Sequence, residues 1–443
     1  MNCEYPWRIT EATMLGRRAF LNATGVAGAA LAVKTNGLSE VLAASASVAS
    51  QSPADVAKDE FYWREIQQSF ALDRTVINLN TGHHASQPTV VLDAVKRFLD
   101  MESMVPVRYG GQILANMDTV RRELAKEFGC DTEEMAITRN ASESLQILQN
   151  GIDLVAGDEV VTTEQDYPRM LTTWDQRMRR DKIVIKRVQF PVPTTADDLY
   201  TRIEQAITPK TKVLHFCHIT NLSGQLFPVQ RLSRMARTRG IRTIVDGAHA
   251  GAQFPFKLRE LECDSYGVSL HKWLLAPNGT GLLFVKRDMI DKFWPLQAAP
   301  ATSTTDIRKF EEIGTAPAAI KAGIADALAF HQAIGAERKA ARLYYLTMRW
   351  ANALKSQPRI RMHSSLKPGE TWGVAAVGID GMEPAKMSAF LWDKYRIVVA
   401  GLSGGKPPAQ TYDWQGIRVT PNVYTTIGEI DTFIEAMQQL VKL

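Results

Sequence analysis

The stretch Thr243–Lys286 reads TIVDGAHAGAQFPFKLRELECDSYGVSLHKWLLAPNGTGLLFVK. The run Thr243–Val245 has strand-forming side chains and ends on an acid, Asp246, followed by small residues and His249. A short apolar run bounded by turn residues predicts a buried strand. After a loop, SLHKW carries Lys272, and a turn at Asn278–Gly281 leads into a second strand-like run, LLFV. In open α/β sheets, ligands sit beyond the carboxyl ends of the strands, so Asp246 stands where a ligand would meet it. A carboxylate there favours the positively charged form of a neighbouring group. A lysine amine in a desolvated pocket loses its proton more readily and becomes a nucleophile. A lone Asp or Lys is usually a surface charge; the ordered strand, acid, lysine and glycine turn argue for a site.

Working outward, the chain alternates strand and helix patterns. MAIT precedes a polar turn and a helix from about Ser142, whose amino end is a natural phosphate site. DEVVTT leads to EQDYP, and IVIKRVQF and KVLHFCHI follow, separated by a helix from about Ala196 to Ile207. Strands alternating with helices predict a mostly parallel sheet. A helix over Val229–Arg239 then ends at Gly240. Downstream, helical spacing covers Ala318–Ile334 and Ala336–Ser356, and the last hundred residues read as a small α/β unit. Upstream, helices are expected over Asp55–Ser69, Val90–Met101 and Met117–Phe128, with a short strand at Val76–Asn80.

The sequence resembles the class V aminotransferases, pyridoxal-phosphate (PLP) enzymes of fold type I. VDGAHA, SLHKWLLAP and IRVTPNVYTT are most similar to the isopenicillin N epimerase-like branch. The resemblance implies an α/β fold, with a large PLP-binding domain over residues 76–317 and a small domain over 318–443. It implies that Lys272 attaches to the cofactor aldehyde and carries the Cα proton, while Asp246 faces the ring nitrogen. It places Ser142, Ser269 and His271 at the phosphate, Asn221 and His249 near the 3-oxygen, and Tyr167 on the ring face. Gln165 is the alternative stacking position. Arg418 matches the arginine that grips a substrate carboxylate, with Arg108 as the alternative. Gly314 and Thr315 match a pair that reaches the partner subunit's phosphate, which implies a homodimer. The implied substrate is a small molecule of amino-acid type, and the reaction is aminotransferase-like, with epimerase, C–S lyase and non-catalytic ligand binding as alternatives. Cysteine desulfurases need a mobile cysteine in the C-terminal part, and no cysteine follows Cys263.

Composition narrows the alternatives. Hydrophobic residues make up 45% and charged residues 22%, ordinary for a globular protein, and the net charge of +5 is dispersed, which argues against nucleic acid as partner. His83 and His84 are adjacent, without a third ligand at metal spacing, and read as an entry loop rather than a metal site. The four cysteines show no CxxC spacing and read as packed thiols. At the amino end, GRRAFLN (Gly16–Asn22) and the apolar run Ala23–Val33 resemble a twin-arginine export signal. That resemblance implies the twin-arginine machinery as partner, a periplasmic location and cleavage near Ala46 in Ala44-Ser45-Ala46. Residues 1–46 are then the signal and 47–75 an N-terminal segment, with Val41–Ser52 expected as a flexible linker.

Overall fold

In the computed structural model, residues 37–406 and 410–443 are described. The export motif at Arg17-Arg18 and the first part of the expected signal lie outside them. The centre is a seven-stranded sheet, whose strands are β1 (Met135–Thr138), β2 (Glu159–Thr163), β3 (Val184–Val188), β4 (Thr211–Cys217), β5 (Arg242–Asp246), β6 (Ser265–Ser269) and β7 (Gly281–Val285). Their spatial order is β1-β7-β6-β5-β4-β2-β3, and only β7 runs against the others. The buried strands are nearly continuous apolar runs, as a sheet covered on both faces requires. The mostly parallel α/β sheet expected from sequence is present.

Because six strands share one direction, their carboxyl ends share one edge. Thr138, Thr163, Cys217, Asp246 and Ser269 are the last residues of their strands. The loops that leave this edge carry the candidate site. Gly281 serves it directly: a Cβ there would lie 2.6 Å from Asn140 Cα, so only glycine lets the Asn140 turn sit against β7.

A second, antiparallel sheet is built from β8 (Ile360–Met362), β9 (Ala375–Ile379), β10 (Ala400–Ser403) and β11 (Gln415–Val419), in the order β10-β11-β9-β8. Helices Pro384–Tyr395 and Ile427–Leu440 share its core with Trp350 and Leu354. The expected helix over Ala318–Ile334 is broken at Gly323, where a Cβ would crowd Pro277 and Val95. Its two halves pack with the large sheet's core through Ala318, Ala322, Ile324 and Leu328, so the large unit extends past the expected boundary at 318. Helix Ala336–Leu354 then crosses between the cores, with Leu343 in one and Leu346 in the other.

Two upstream expectations change. The helix expected over Asp55–Ser69 is two, Pro53–Val56 and Glu60–Gln68, each started by an N-cap, Ser52 and Asp59. The flexible linker expected at Val41–Ser52 is instead mostly helix, Leu38–Ser47. Val41 and Val48 are buried with Trp63, Ile66 and Phe330, and Ser45 bonds Tyr62 Oη at 3.1 Å. Alanine is the best helix former, so an Ala/Ser-rich stretch with two valines on one side is as able to pack as to be a spacer. Cleavage after Ala46 would cut this helix.

Candidate active site

The site forms where the loops after β1, β2, β4, β5 and β6 converge. Asp246 ends β5 and is 5% exposed; its Oδ1 accepts the Ala248 N–H at 2.9 Å. Burial pushes its carboxyl up to about 6, with the Ala248 bond and the Lys272 charge opposing and the buried Asp166 adding. Lys272 lies in the turn after β6, and its Nζ is 3.0 Å from His249 Nε2. Burial lowers its amine to about 8; Asp246 opposes that shift and Arg418 reinforces it. His249 is buried, held well below the usual imidazole range by desolvation and by Lys272 and Arg418. Its Nδ1 is sealed without a partner, and its carbonyl accepts from Gln253.

At the phosphate side, helix Ala141–Gly151 is capped by Asn140, whose Oδ1 accepts the Glu143 N–H at 2.8 Å. The cap is therefore Asn140, one turn position before the expected start at Ser142. Ser142 lies in the first turn, and its hydroxyl takes no protein partner among the described residues. Ser269 Oγ accepts the Ala141 N–H at 3.0 Å, which ties β6 to this helix end. His271 Nδ1 meets Thr280 O at 3.2 Å, so that nitrogen carries the proton. Burial and Lys272 lower its titration to about 4, leaving Nε2 as an acceptor until an anion draws a proton to it.

Tyr167 caps helix Pro168–Asp181 and packs with the cluster that holds Ala141 and Ala248. Gln165 is buried and its Nε2 donates to Phe190 O at 3.1 Å, while Tyr167 is half-buried. Asn221, after β4, accepts Arg418 Nη1 on its carbonyl at 2.6 Å. Arg418, on β11, is 7% exposed and bonds Asn80 Oδ1 at 2.8 Å through Nη2; its Nε is sealed without a partner. Arg108 lies exposed on helix Pro106–Ala115. The His83–His84 loop sits beside the site: a Cβ on Gly82 would lie 3.3 Å from His249, and Gly82 N–H donates to Thr420 Oγ1 at 2.9 Å. Among the described residues no group of His, Cys, Asp and Glu could hold a metal ion. Gly314 and Thr315 are exposed, so the structure does not bring Thr315 to the other site residues within one chain.

Sequence reasoning missed Asp166, Asn80 and Gln410. Asp166 is buried and accepts Thr162 Oγ1, Thr163 N and Thr163 Oγ1 through Oδ2, at 2.7, 2.7 and 2.9 Å. The one signal for it was its place straight after β2, next to the Tyr167 already chosen.

The donor set fits PLP. Among the described residues neither Asp246, Lys272 nor Arg418 belongs to an ion pair, although Asp246 and Arg418 are buried and Lys272 is half-buried. Withdrawing an unpaired charge from water is costly, so these side chains suit ligand groups that complement them. Asp246 suits a protonated ring nitrogen, Lys272 an aldehyde carbon, Arg418 a carboxylate, and the Ala141 helix end with Ser142 and Ser269 a phosphate.

Similar proteins agree with this reading. The chain is 27% identical to an isopenicillin N epimerase of Streptomyces clavuligerus over 397 residues, covering 85% of this chain and 98% of that one. It is 24% identical to a probable cysteine desulfurase of Vibrio cholerae serotype O1, over 83% of this chain and 94% of the other. The solved structure of a C-DES mutant, with glycine covalently linked to its PLP cofactor, superposes with a TM-score of 0.73 at 20% identity, covering 84% of this chain and 98% of that one. The family description aminotransferase class-V matches residues 77–433. With that match spanning both sheets and including Asp246, Lys272 and Arg418, the chain belongs to the class-V aminotransferase family, and it is a PLP-dependent enzyme of fold type I.

Proposed function

We propose that this enzyme moves a proton at Cα of an amino acid, or of a metabolite containing one, in an aminotransferase-like reaction. The observation that carries this is the trio of Asp246, Lys272 and Arg418, none of them in an ion pair among the described residues, with Asp246 and Arg418 buried and Lys272 half-buried. PLP, when bound, supplies the electron sink that accepts the pair left at Cα. Arg418 receives the substrate carboxylate through its planar fork, which fixes Cα over the site. Lys272, lowered to about 8, takes the Cα proton as a general base near neutral pH. Asp246 keeps the ring nitrogen charged. A single base takes the Cα proton and can release it only on its own face, so it can serve a one-sided shift of the proton away from Cα, as transamination requires, but not inversion at Cα.

Epimerisation is the second reading, favoured by the near full-length match to isopenicillin N epimerase and by the Tyr167 hydroxyl as a group for the other face. Persulfide chemistry of the desulfurase kind has less support. Burial pushes the Cys130 thiol up to about 12 and those of Cys217 and Cys263 upward as well, so no described cysteine offers a thiolate. Incubating holoenzyme with an amino-acid panel in D2O tests the reading. Cα deuteration with oxo-acid formation supports transamination, and deuteration into both enantiomers without oxo acid supports epimerisation. An absence of exchange with every substrate, in protein that binds PLP, overturns Cα chemistry.

We further infer export to the periplasm by the twin-arginine machinery. We take cleavage to fall before Gly37, because Leu38–Ser47 packs with Trp63 and Phe330 and a cut at Ala46 would sever that helix. Replacing Arg17 and Arg18 by Lys should retain the precursor in the cytoplasm, and amino-terminal sequencing of the periplasmic form should start no later than Gly37. A homodimer is supported by exposed apolar side chains at Leu99, Met104, Val107 and Leu114, together with the exposed Gly314-Thr315.

A further inference from the structure

Gln410 and Thr411 lie between β10 and β11 yet reach the carboxyl-end edge of the large sheet. Thr411 N–H donates to Glu164 O at 3.2 Å. The Gln410 side chain is buried, and its Nε2 donates to Gln165 O at 2.8 Å and to Asn221 Oδ1 at 3.0 Å. These contacts fix two amide orientations. A backbone carbonyl only accepts, so the Gln410 atom facing Gln165 O is its NH2 group. That same NH2 faces Asn221, so Asn221 meets it with its oxygen. The Asn221 NH2 is thereby turned the other way. It has no protein acceptor among the described residues and is not one of the sealed unpartnered atoms, so it faces open volume. Arg418 fixes the backbone of the same residue through the Asn221 carbonyl.

We propose that Gln410 is a positioning residue that sets the flip of the Asn221 amide, so that an N–H rather than a lone pair faces the cofactor's 3-oxygen. The proposal rests on the reading of Asn221 as the neighbour of that oxygen. An N–H donated there favours the negatively charged oxygen and keeps the proton off the chromophore formed when Lys272 holds the cofactor. A carbonyl oxygen in the same place would favour the protonated chromophore. Gln410 thus acts on a titration through another residue.

The test is a pH titration of the visible absorbance of purified holoenzyme, for wild type, Gln410→Glu, Gln410→Leu and Asn221→Ala. Glu at 410 sets a carboxylate against two oxygens, and rotation of the Asn221 amide is the nearest relief. The chromophore pKa should rise by about one unit or more, the size of a lost charge-assisted hydrogen bond. Gln410→Leu removes the lock without reversing it and should raise the pKa by less. It also keeps the comparison available if the glutamate variant does not fold. Asn221→Ala reports loss of the N–H altogether, and Gln410→Glu should match or exceed it. The charged and titratable groups around Lys272, namely Asp246, Arg418, Cys217, His249, His83, His271 and Tyr167, with Asp166 beside Asp246, are the same in wild type, Gln410→Leu and Asn221→Ala, whereas Gln410→Glu adds a carboxylate, so the uncharged Gln410→Leu separates the amide flip from that added charge. If Asn221→Ala shifts the pKa while both Gln410 variants stay at the wild-type value and only lose thermal stability, Gln410 merely holds the loop and the proposal falls. If Asn221→Ala itself leaves the pKa unmoved, the placement of Asn221 is wrong, and the proposal falls with it.

Discussion

Lys339 is buried and Lys272 half-buried, and desolvation lowers both amines, to about 7 and about 8. Neither belongs to an ion pair among the described residues. They differ in what their donors meet. Lys339 donates to the Trp273 carbonyl and lies 3.3 Å from His331 Nδ1, while His331 Nε2 lies 3.6 Å from Glu127. Lys272 has one protein partner, His249, at the edge where five loops converge. A lowered pKa therefore does not distinguish a reactive lysine from a structural one. The distinction lies in donors left for something that is not protein.

The sharpest way to break this comparison is to remove each amine. Lys272→Ala should lower turnover by at least about 10³-fold, the range expected when a general acid–base group is lost. It should also abolish borohydride labelling of the chain by PLP. Lys339→Met should keep the label on Lys272 but lower stability by about 1–3 kcal/mol, because the buried Trp273 carbonyl loses its donor. Peptide mapping and thermal unfolding read the two effects. Loss of the label in Lys339→Met would erase the distinction.

Titration is the next test, made on cofactor-free protein. Both folded-state pKa values lie below the unfolded lysine value, so between them the unfolded chain binds more protons. Stability is then fully present above the unfolded pKa, near 10.5, and is lost as pH falls through about 8 for Lys272 and about 7 for Lys339. At about 1.4 kcal/mol per unit the windows correspond to roughly 3 kcal/mol for Lys272 and roughly 5 kcal/mol for Lys339. Either lysine-to-methionine variant should flatten the rise in unfolding free energy on the alkaline side. An unchanged slope would mean that the amine is solvated.

The unmet-donor criterion extends to Arg418. Arg418→Lys keeps the charge but loses the fork, so kcat/KM should fall through KM by about 10–100-fold, as for a charge-assisted hydrogen bond of about 1.5–3 kcal/mol. PLP and its colour should remain. An unchanged kcat/KM for every substrate would move the carboxylate role to another group. The smallest effect is expected at Thr315, whose acceptor would lie in a second copy. Thr315→Ala should weaken PLP retention by about 1.5 kcal/mol, measured by dialysis. A fully active monomer in sedimentation would remove the reason for any effect.

The residues that sequence reveals are those whose partners lie close along the chain. Asp246 and Lys272 share one strand–turn–strand unit, and its apolar runs and glycine turn mark where the backbone must go. Arg418, whose partners Asn221 and Asn80 lie 197 and 338 positions away, was legible only through the family resemblance of IRVTPNVYTT. Asn80 and Gln410 were not. Asn80 meets Arg418 338 positions away and Gln410 meets Asn221 189 positions away. A polar residue in a loop carries no periodicity to announce such a partner. The helix Leu38–Ser47 was misread for a different reason: its composition suits both a helix and a linker, and only the apolar surface of Trp63 and Phe330 decides between them.

The bond from Lys339 to Trp273 has an evolutionary consequence. It grips a main-chain carbonyl, which every residue type supplies, so it imposes no choice of side chain at position 273. The constraint falls on the other end of the chain of contacts, where lysine, imidazole and carboxylate depend on one another. Among related sequences, positions 339, 331 and 127 should be exchanged as a set, and an apolar residue at 339 should arrive with loss of the acid at 127. Position 273 should vary with the volume of its pocket alone.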